Sequence, residues 1–431
     1  MPTSAALPLI AETIAIGTEL LIGGKSDANS LFLAEELGKL GIEVRFKSVV
    51  GDTRSDIALT IGHAAKRAGV VIMTGGLGPT MDDCTREAVA HVTGRRLGKR
   101  KDALDALRAR LAQWGRTPSR GQLRQAMIPS GATVLANPVG SAPGFCLTWK
   151  NSLIVSLPGV PREMEAMMVQ KVMPILTSRL KDTKQMATPI VRQVFHTFGL
   201  PEADVDAKLK GLVPDRMPVD LGFLASPMGV LVSLTTKSGA RKSRIAEDLL
   251  HPLARQVRGR LSEWLFAEGR ETMEEIVGRL LTRHALTLAV AESCTGGLIG
   301  HRLTQVPGSS AYFDRGVVCY SNGAKMELLG VPTSLLEKYG AVSASVAAAM
   351  ANGIRERSGT DIGLSATGIA GPDGGTATKP VGLVFVGLDG GEGGTITKEF
   401  RFHGDRHVIK QRSSQAALDL LRRWLIDRES K

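Results

Sequence analysis

Short apolar runs alternate with longer amphipathic stretches through the first third of the chain. Thr13–Gly17 reads as a strand ending in a glycine turn, and Asn29–Leu40 as an amphipathic helix closed by Gly41. Val44–Val50 follows as a strand, Arg54–Ala68 as a helix, and Val70–Thr74 as a buried strand running into Gly75-Gly76. Strands alternating with helices in this way predict a parallel sheet covered by helices, with ligands at the C-terminal strand ends. A long polar helical region comes next, and Leu153–Leu157 then reads as another strand. It leads through Pro158-Gly159-Val160-Pro161 into a methionine-rich helix, Glu163–Met173, whose methionines read as core packing.

The pattern changes near Thr188. Val191–Gly199, Ala203–Leu212, Val219–Ala225 and Val230–Lys237 read as strand, helix, strand and strand, and Arg241–Leu261 as a helix. That is enough for a small α+β module. A third segment opens with helix Thr272–His284 and strand Leu286–Ala291. Ile362–Ala366, Gly382–Leu388 and Thr395–Phe402 are its later strands, with Gly390–Gly394 as a turn and a final helix from Arg406 to Asp427. The chain reads as α/β throughout, with a mostly parallel first sheet, an α+β middle module and an α/β C-terminal domain.

Composition changes this picture little. The 431 residues exceed one comfortable core, so several domains are expected. Cys84, Cys146, Cys294 and Cys319 are scattered without zinc-like spacing, which argues against a disulfide framework and for a reducing cytoplasm. Nothing approaches the roughly 20 uninterrupted apolar residues of a membrane span, and Met1–Ile10 lacks the basic region of a signal peptide. The net charge of +12 gathers partly at Arg95, Arg96, Lys99, Arg100, Lys101, Arg108 and Arg110. That cluster lies on a helical-looking stretch without interleaved aromatics. It reads first as a solvated helix face, then as a general attraction for anionic nucleotides, with specific nucleic-acid recognition the weakest of the three readings.

Candidate chemistry sits in two glycine-rich places. In Gly75–Asp83 a buried strand ends in Gly75, Gly76 and Gly78, whose N–H groups, with Thr80, suit phosphate oxygens. Asp82 and Asp83 offer hard oxygen ligands for a divalent ion, and equally read as caps for the next helix. Asp52, at another strand end, either faces the same pocket or starts its own helix. Glu19 reads as a general base or as a hydrogen-bonding partner of its own loop.

Gly17-Thr18-Glu19-Leu20-Leu21, Asp27-Ala28-Asn29, Asn137–Phe145 and Leu157–Met164 join that loop. Together they resemble the N-terminal domain of the competence/damage-inducible (CinA) family, similar in fold to molybdopterin-binding proteins. The resemblance covers residues 11–175 and implies a pyrophosphatase domain over 1–175 that uses Mg²⁺, Mn²⁺ or Co²⁺ to convert ADP-ribose to AMP and ribose 5-phosphate. Asp52, Asp82 and Asp83 match the family's acidic positions, whereas Ala28 and Ser141 stand where it often has threonine.

In the third segment a strand delivers Glu292-Ser293 to a turn, and Thr295-Gly296-Gly297 opens a helix. A serine there can expose its hydroxyl beside oxyanion-binding amides, or simply cap the helix. No acid–histidine pair stands near it in the sequence, so Lys325, five residues beyond Tyr320, is the candidate activator. Cys294 is a rival nucleophile by position, and otherwise a small core thiol. His301, His403 and His407 are not at ligand spacing.

Glu292–Gly297, Tyr320–Lys325, Thr367–Gly375, Lys379-Pro380-Val381-Gly382 and Gly404-Asp405-Arg406 resemble, in that order, the C-terminal domain of the same family. The resemblance implies a metal-free nicotinamide mononucleotide deamidase over residues 263–431. It places the nucleophile on Ser293 and the catalytic lysine on Lys325, with Tyr320 and Thr367 at matching motif positions. Gly296, Gly297, Asn322 and Gly368 are candidate substrate contacts, and so is Lys410, where related domains often have arginine. The middle module, residues 188–262, resembles the family's small KH-like domain but shows no clear GxxG clamp. Spacing or dimer formation is its expected role, and a homodimer the expected assembly. Two other readings stand beside this bifunctional enzyme: a regulatory protein of competence or DNA repair, and an N-terminal domain that transfers nucleotidyl groups to a pterin.

Overall fold

The computed structural model describes residues 10–182, 189–236, 243–391 and 394–429. Met1–Ile10 up to residue 9, the boundary at Thr188, Lys237 and Arg241 at the edges of expected elements, and residues 392 and 393 of the Gly390–Gly394 turn lie outside them. Contacts divide the chain into two compact units, Met1–Val191 with Thr236–Leu249, and Arg192–Thr235 with Leu250–Lys431.

In the first unit Ile10–Ile16 pairs in parallel with Glu43–Val50 on one side and Val70–Thr74 on the other, and Val70–Thr74 pairs in parallel with Ser152–Leu157. Gly144–Trp149 and Thr133–Leu135 complete the six-stranded sheet in antiparallel fashion. Val70–Thr74 reads as an unbroken apolar run because both its faces are covered. Val71 and Met73 enter one core with Ile14, Ile57 and Phe145, while Val70 and Ile72 enter the other with Leu33, Val155 and Met164. Burying each such side chain contributes roughly 1.5–3 kcal/mol, so this strand is the unit's anchor.

The second unit holds two sheets. The small one orders Val219–Ser226, Gly229–Thr236, Arg192–Thr197 and Leu265–Glu268. Its last strand pairs antiparallel with Arg192–Thr197 and carries the module past residue 262. The larger sheet orders Phe313–Val318, Leu288–Glu292, Ile362–Gly368, Leu383–Asp389 and Thr395–Arg401, the first three parallel and the last two antiparallel. Leu288 and Val290 face one core, Ala289 and Ala291 the other.

Each large sheet places its glycine loop where the chain leaves neighbouring parallel strands in opposite directions. In the first unit this is between Ile10–Ile16 and Val70–Thr74, and in the second between Leu288–Glu292 and Ile362–Gly368. Such points open a crevice at the strand ends.

The long polar region is not one helix. Thr85–Thr93 and Lys101–Gln113 are helices separated by the strand Leu97–Lys99. Of the basic residues there, Arg96, Lys99, Lys101 and Arg108 are exposed, while three others tie down main-chain carbonyls. Arg95 donates to Ser130 and Thr148, Arg100 to Ala132, and Arg110 to Asn137 and Pro138. The methionine-rich helix starts at Pro161 and passes through a π-turn, Met168–Val172, before continuing to Asp182. Met164, Met167 and Met168 are fully buried in it. No helix among the described residues is long and apolar enough to cross a membrane.

Candidate functional site

Ser293 follows directly on Leu288–Glu292, the strand lying between Phe313–Val318 and Ile362–Gly368. Its N–H donates to the Ala366 carbonyl at 2.9 Å, which fixes where the strand stops and the turn begins. Lys325 enters from the helix Asn322–Leu329, whose start is capped by Ser321 Oγ accepting from Ala324 N at 3.0 Å. This places Lys325 on the inward side of the helix, 1% exposed. Its Nζ lies 3.1 Å from Ser293 Oγ, 3.0 Å from the Cys319 carbonyl and 3.2 Å from the Tyr320 carbonyl.

That set of partners suits both charge states of the amine. An ammonium donates to all of them. A neutral amine keeps its N–H bonds on the two carbonyls and turns its lone pair to the serine hydroxyl. Burial pushes the Lys325 pKa down from its ordinary value, with Cys319, Cys294 and Tyr320 opposing the shift. A lysine desolvated in this way can take a proton from a neighbouring hydroxyl.

Cys294 is a poor rival. Burial pushes its thiol up to about 12, so the thiolate is scarce at neutral pH. Cys319 is also buried, with its thiol pushed up by the same cause.

The glycine amides expected to hold an oxyanion are already committed. Gly296 N–H donates to the Ser293 carbonyl at 3.2 Å, and Gly297 N–H to Glu292 Oε2 at 2.9 Å. Glu292 was not among the expected site residues. Its buried carboxylate also accepts from Ile299 and Gly300 at 3.1 and 2.8 Å, closing the start of the helix Leu298–Thr304. The Thr295 N–H carries no acceptor among the described residues, and that of Cys294 meets only its own thiol. The Thr295 hydroxyl is likewise buried without a partner.

The other expected residues divide. Tyr320 is 59% exposed and touches Lys325 only through its main-chain carbonyl, while its phenol accepts from Arg406 Nη2 at 2.9 Å. Arg406 Nη1 donates to the Gly371 carbonyl at 2.8 Å, so this arginine links the tyrosine to the loop after Ile362–Gly368. The Thr367 hydroxyl is committed to the Ala341 carbonyl at 2.9 Å, a packing role. Gly368 has no room for a side chain, since a Cβ would meet the Leu383 carbonyl at 2.8 Å. Asn322 is exposed at the first turn of its helix. Lys410 Nζ lies over the serine turn, 3.3 Å from where a Cβ on Gly296 would stand, and has no partner among the described residues.

In the first unit the loop Gly75–Asp83 is also internally bonded. Gly75 and Gly76 adopt positive φ of 107° and 65°. A Cβ would meet the Ile16 carbonyl at 2.2 Å and Thr85 Oγ1 at 2.1 Å, so the glycines serve close approach. Of the expected phosphate donors, Gly75 N–H goes to the Leu157 carbonyl at 3.0 Å. Gly78 and Thr80 N–H go to Asp83 Oδ1 and Oδ2 at 2.7 and 2.8 Å. Gly76 N–H alone of these four has no acceptor among the described residues. Arg86, buried behind the loop, donates to the Leu77 and Gly78 carbonyls.

Asp83 therefore organises the loop. Asp52 is tied to Thr18 N and Oγ1, both at 2.8 Å. Asp82 is exposed, and its carboxyl is held below the usual value chiefly by the Thr80 hydroxyl 2.5 Å away. No group of three or more His, Cys, Asp or Glu among the described residues could hold a metal ion. Asp52 and Asp83 each accept main-chain N–H bonds, Asp52 from Thr18 and Asp83 from Gly78 and Thr80. The Glu19 carboxylate lies over Gly17, its own loop.

Comparison with known proteins accounts for nearly the whole chain. Residues 12–178 match the family described as "Probable molybdopterin binding domain", 192–267 the "Damage-inducible protein CinA KH domain", and 270–425 the "CinA C-terminal domain". A "Putative competence-damage inducible protein" of Halothermothrix orenii is 43% identical over 97% of this chain and 99% of its own length. A "CinA-like protein" of Geotalea uraniireducens is 42% identical over 97% and 98%. Among solved structures, a competence/damage inducible protein from Agrobacterium tumefaciens is 43% identical, covering 35% of this chain and 93% of its own, with a TM-score of 0.34. The chain belongs to the CinA family, with a molybdopterin-binding-like N-terminal domain, a KH-like middle domain and a CinA C-terminal domain.

Proposed function

We propose that the C-terminal domain is a serine–lysine amidohydrolase that converts nicotinamide mononucleotide to nicotinate mononucleotide and ammonia. The observation that carries this reading is the 3.1 Å approach of buried Lys325 Nζ to Ser293 Oγ. Ser293 Oγ attacks the carboxamide carbon while Lys325 takes its proton. The oxyanion is held by the amides of Cys294 and Thr295, since those of Gly296 and Gly297 are occupied. Lys325 returns the proton to the departing nitrogen, and ammonia leaves. It then deprotonates the water that attacks the acyl-enzyme and passes that proton to the departing Ser293 Oγ, which frees the acid product and restores both residues. Lys410 is the counter-charge for the nucleotide phosphate, and Tyr320, steadied by Arg406, walls the pocket. The test is ammonia release from nicotinamide mononucleotide in metal-free buffer. Absence of nicotinate mononucleotide among the products overturns the substrate, and normal turnover by S293A overturns the nucleophile.

For the N-terminal domain, we propose binding of a pterin nucleotide or a related phosphorylated ligand at the Gly75–Asp83 end of the sheet, with nucleotidyl transfer as the associated chemistry. The match of residues 12–178 to a probable molybdopterin binding domain favours this reading. Metal-dependent hydrolysis of ADP-ribose is the competing one, and all three of its expected ligands, Asp52, Asp82 and Asp83, already accept main-chain N–H bonds. Incubation with ADP-ribose and Mg²⁺, Mn²⁺ or Co²⁺ separates them: formation of AMP and ribose 5-phosphate selects hydrolysis. A regulatory role, suggested by the relatives' names, is favoured if neither site turns over.

A further inference from the structure

Glu292 is a buried carboxylate, 1% exposed, with no cation paired to it among the described residues. Its partners are instead the N–H groups of Gly297, Ile299 and Gly300. A side chain that only capped the helix Leu298–Thr304 could sit anywhere ahead of it. This one is the residue immediately before Ser293, and its bond to Gly297 closes a loop around Ser293, Cys294, Thr295 and Gly296. The main chain of Glu292 acts as well. Its carbonyl accepts from Cys319 N at 2.9 Å, and the Cys319 carbonyl in turn holds Lys325 Nζ at 3.0 Å. One residue thus references both the serine turn and the seat of the lysine.

We infer that Glu292 is a positioning residue of the serine–lysine site: its carboxylate draws the Gly297, Ile299 and Gly300 amides together and thereby sets the attack geometry of Ser293. The inference rests on the serine–lysine reading of this domain, though not on which amide is the substrate. Glutamine is not equivalent. One of its ends is an NH₂, which opposes at least one of the same N–H groups and leaves it unpaired. Aspartate keeps both oxygens but withdraws them by one methylene.

The test uses an aryl fluorophosphonate probe on the full chain. Ser293 Oγ forms a bond to phosphorus, fluoride leaves, and Lys325 receives the hydroxyl proton. The labelling rate and the half-saturating probe concentration are measured at a temperature well below the unfolding midpoint of every variant. For E292Q the limiting rate falls at least tenfold while half-saturation stays within twofold; E292D is slowed about threefold to tenfold. A purely structural role would lower the unfolding midpoint and leave the rate of the folded protein unchanged. E292Q labelled within twofold of the unmutated protein therefore overturns the inference. If E292Q does not fold, E292D decides: an unchanged rate overturns the inference, and the stated loss supports it. Unmutated protein that labels at Ser293 but releases no ammonia from nicotinamide mononucleotide sinks the proposed substrate alone. Protein that never labels at Ser293 sinks both readings.

Discussion

Lys325 Nζ stands 3.1 Å from Ser293 Oγ with two main-chain carbonyls as its other hydrogen-bond acceptors. As the proposed base, the lysine works only when neutral, and burial favours that form. The deamidase rate therefore rises with pH through the Lys325 pKa, with a midpoint below that of a free lysine. K325R cannot lose its proton in this range and drops kcat by roughly 10²–10⁴-fold. A pH profile of kcat/KM checks both, and a rising limb centred at the value of free lysine contradicts the assignment.

Cys294 shares the turn yet is predicted to be dispensable. With its thiol pushed up to about 12, it is neither nucleophile nor ready target for alkylation. C294A retains deamidase activity within about threefold, because it removes one small buried atom and no transition-state contact. Inactivation by iodoacetamide faster than that of an exposed thiol would count against this view.

On the proposed deamidase reading, Lys410 meets the substrate phosphate by charge. K410A is expected to raise KM about 10–100-fold with little change in kcat, the scale of one charge-assisted hydrogen bond of about 1.5–3 kcal/mol. K410R retains or tightens binding through its two-pronged geometry. Steady-state kinetics on the nucleotide and on free nicotinamide separate this effect from a loss of catalysis.

The two adjacent aspartates of the first unit should separate in a denaturation experiment. D83A leaves the Gly78 and Thr80 amides without their acceptor and costs about 1–3 kcal/mol. D82A shifts the urea midpoint less than D83A, since the exposed Asp82 carboxylate meets the Thr80 hydroxyl and the N–H groups of Asp82 and Asp83, which solvent can replace. Equal effects on the midpoint would mean that Asp83 does not organise the loop.

The strands flanking both sites were legible because their apolar runs are buried on two faces: Val70–Thr74 has the expected limits, and Leu288–Glu292 is displaced only slightly from Leu286–Ala291. Thr133–Leu135 is too short to show a period, and Phe313–Val318 is a largely exposed edge strand with Asp314 and Arg315 in its middle. Neither gave a strand pattern. Ser293 and Lys325 were legible as residue types in ordered motifs. The committed amides were not, because an N–H group's partner depends on the path of the backbone. For the same reason the main-chain amides bound by Glu292 and Asp83 were not legible either.

The seat of Lys325 has a consequence for how the domain tolerates change. Two of the three contacts to its amine come from the peptide groups of residues 319 and 320, which every amino acid supplies. Substitutions at those positions that preserve the backbone path leave the base seated. A single-residue insertion or deletion between Val318 and Asn322 would shift the carbonyls relative to the helix and unseat it, whatever side chains were present. The base is thus protected against point mutation at two of its contacts and exposed to changes in loop length.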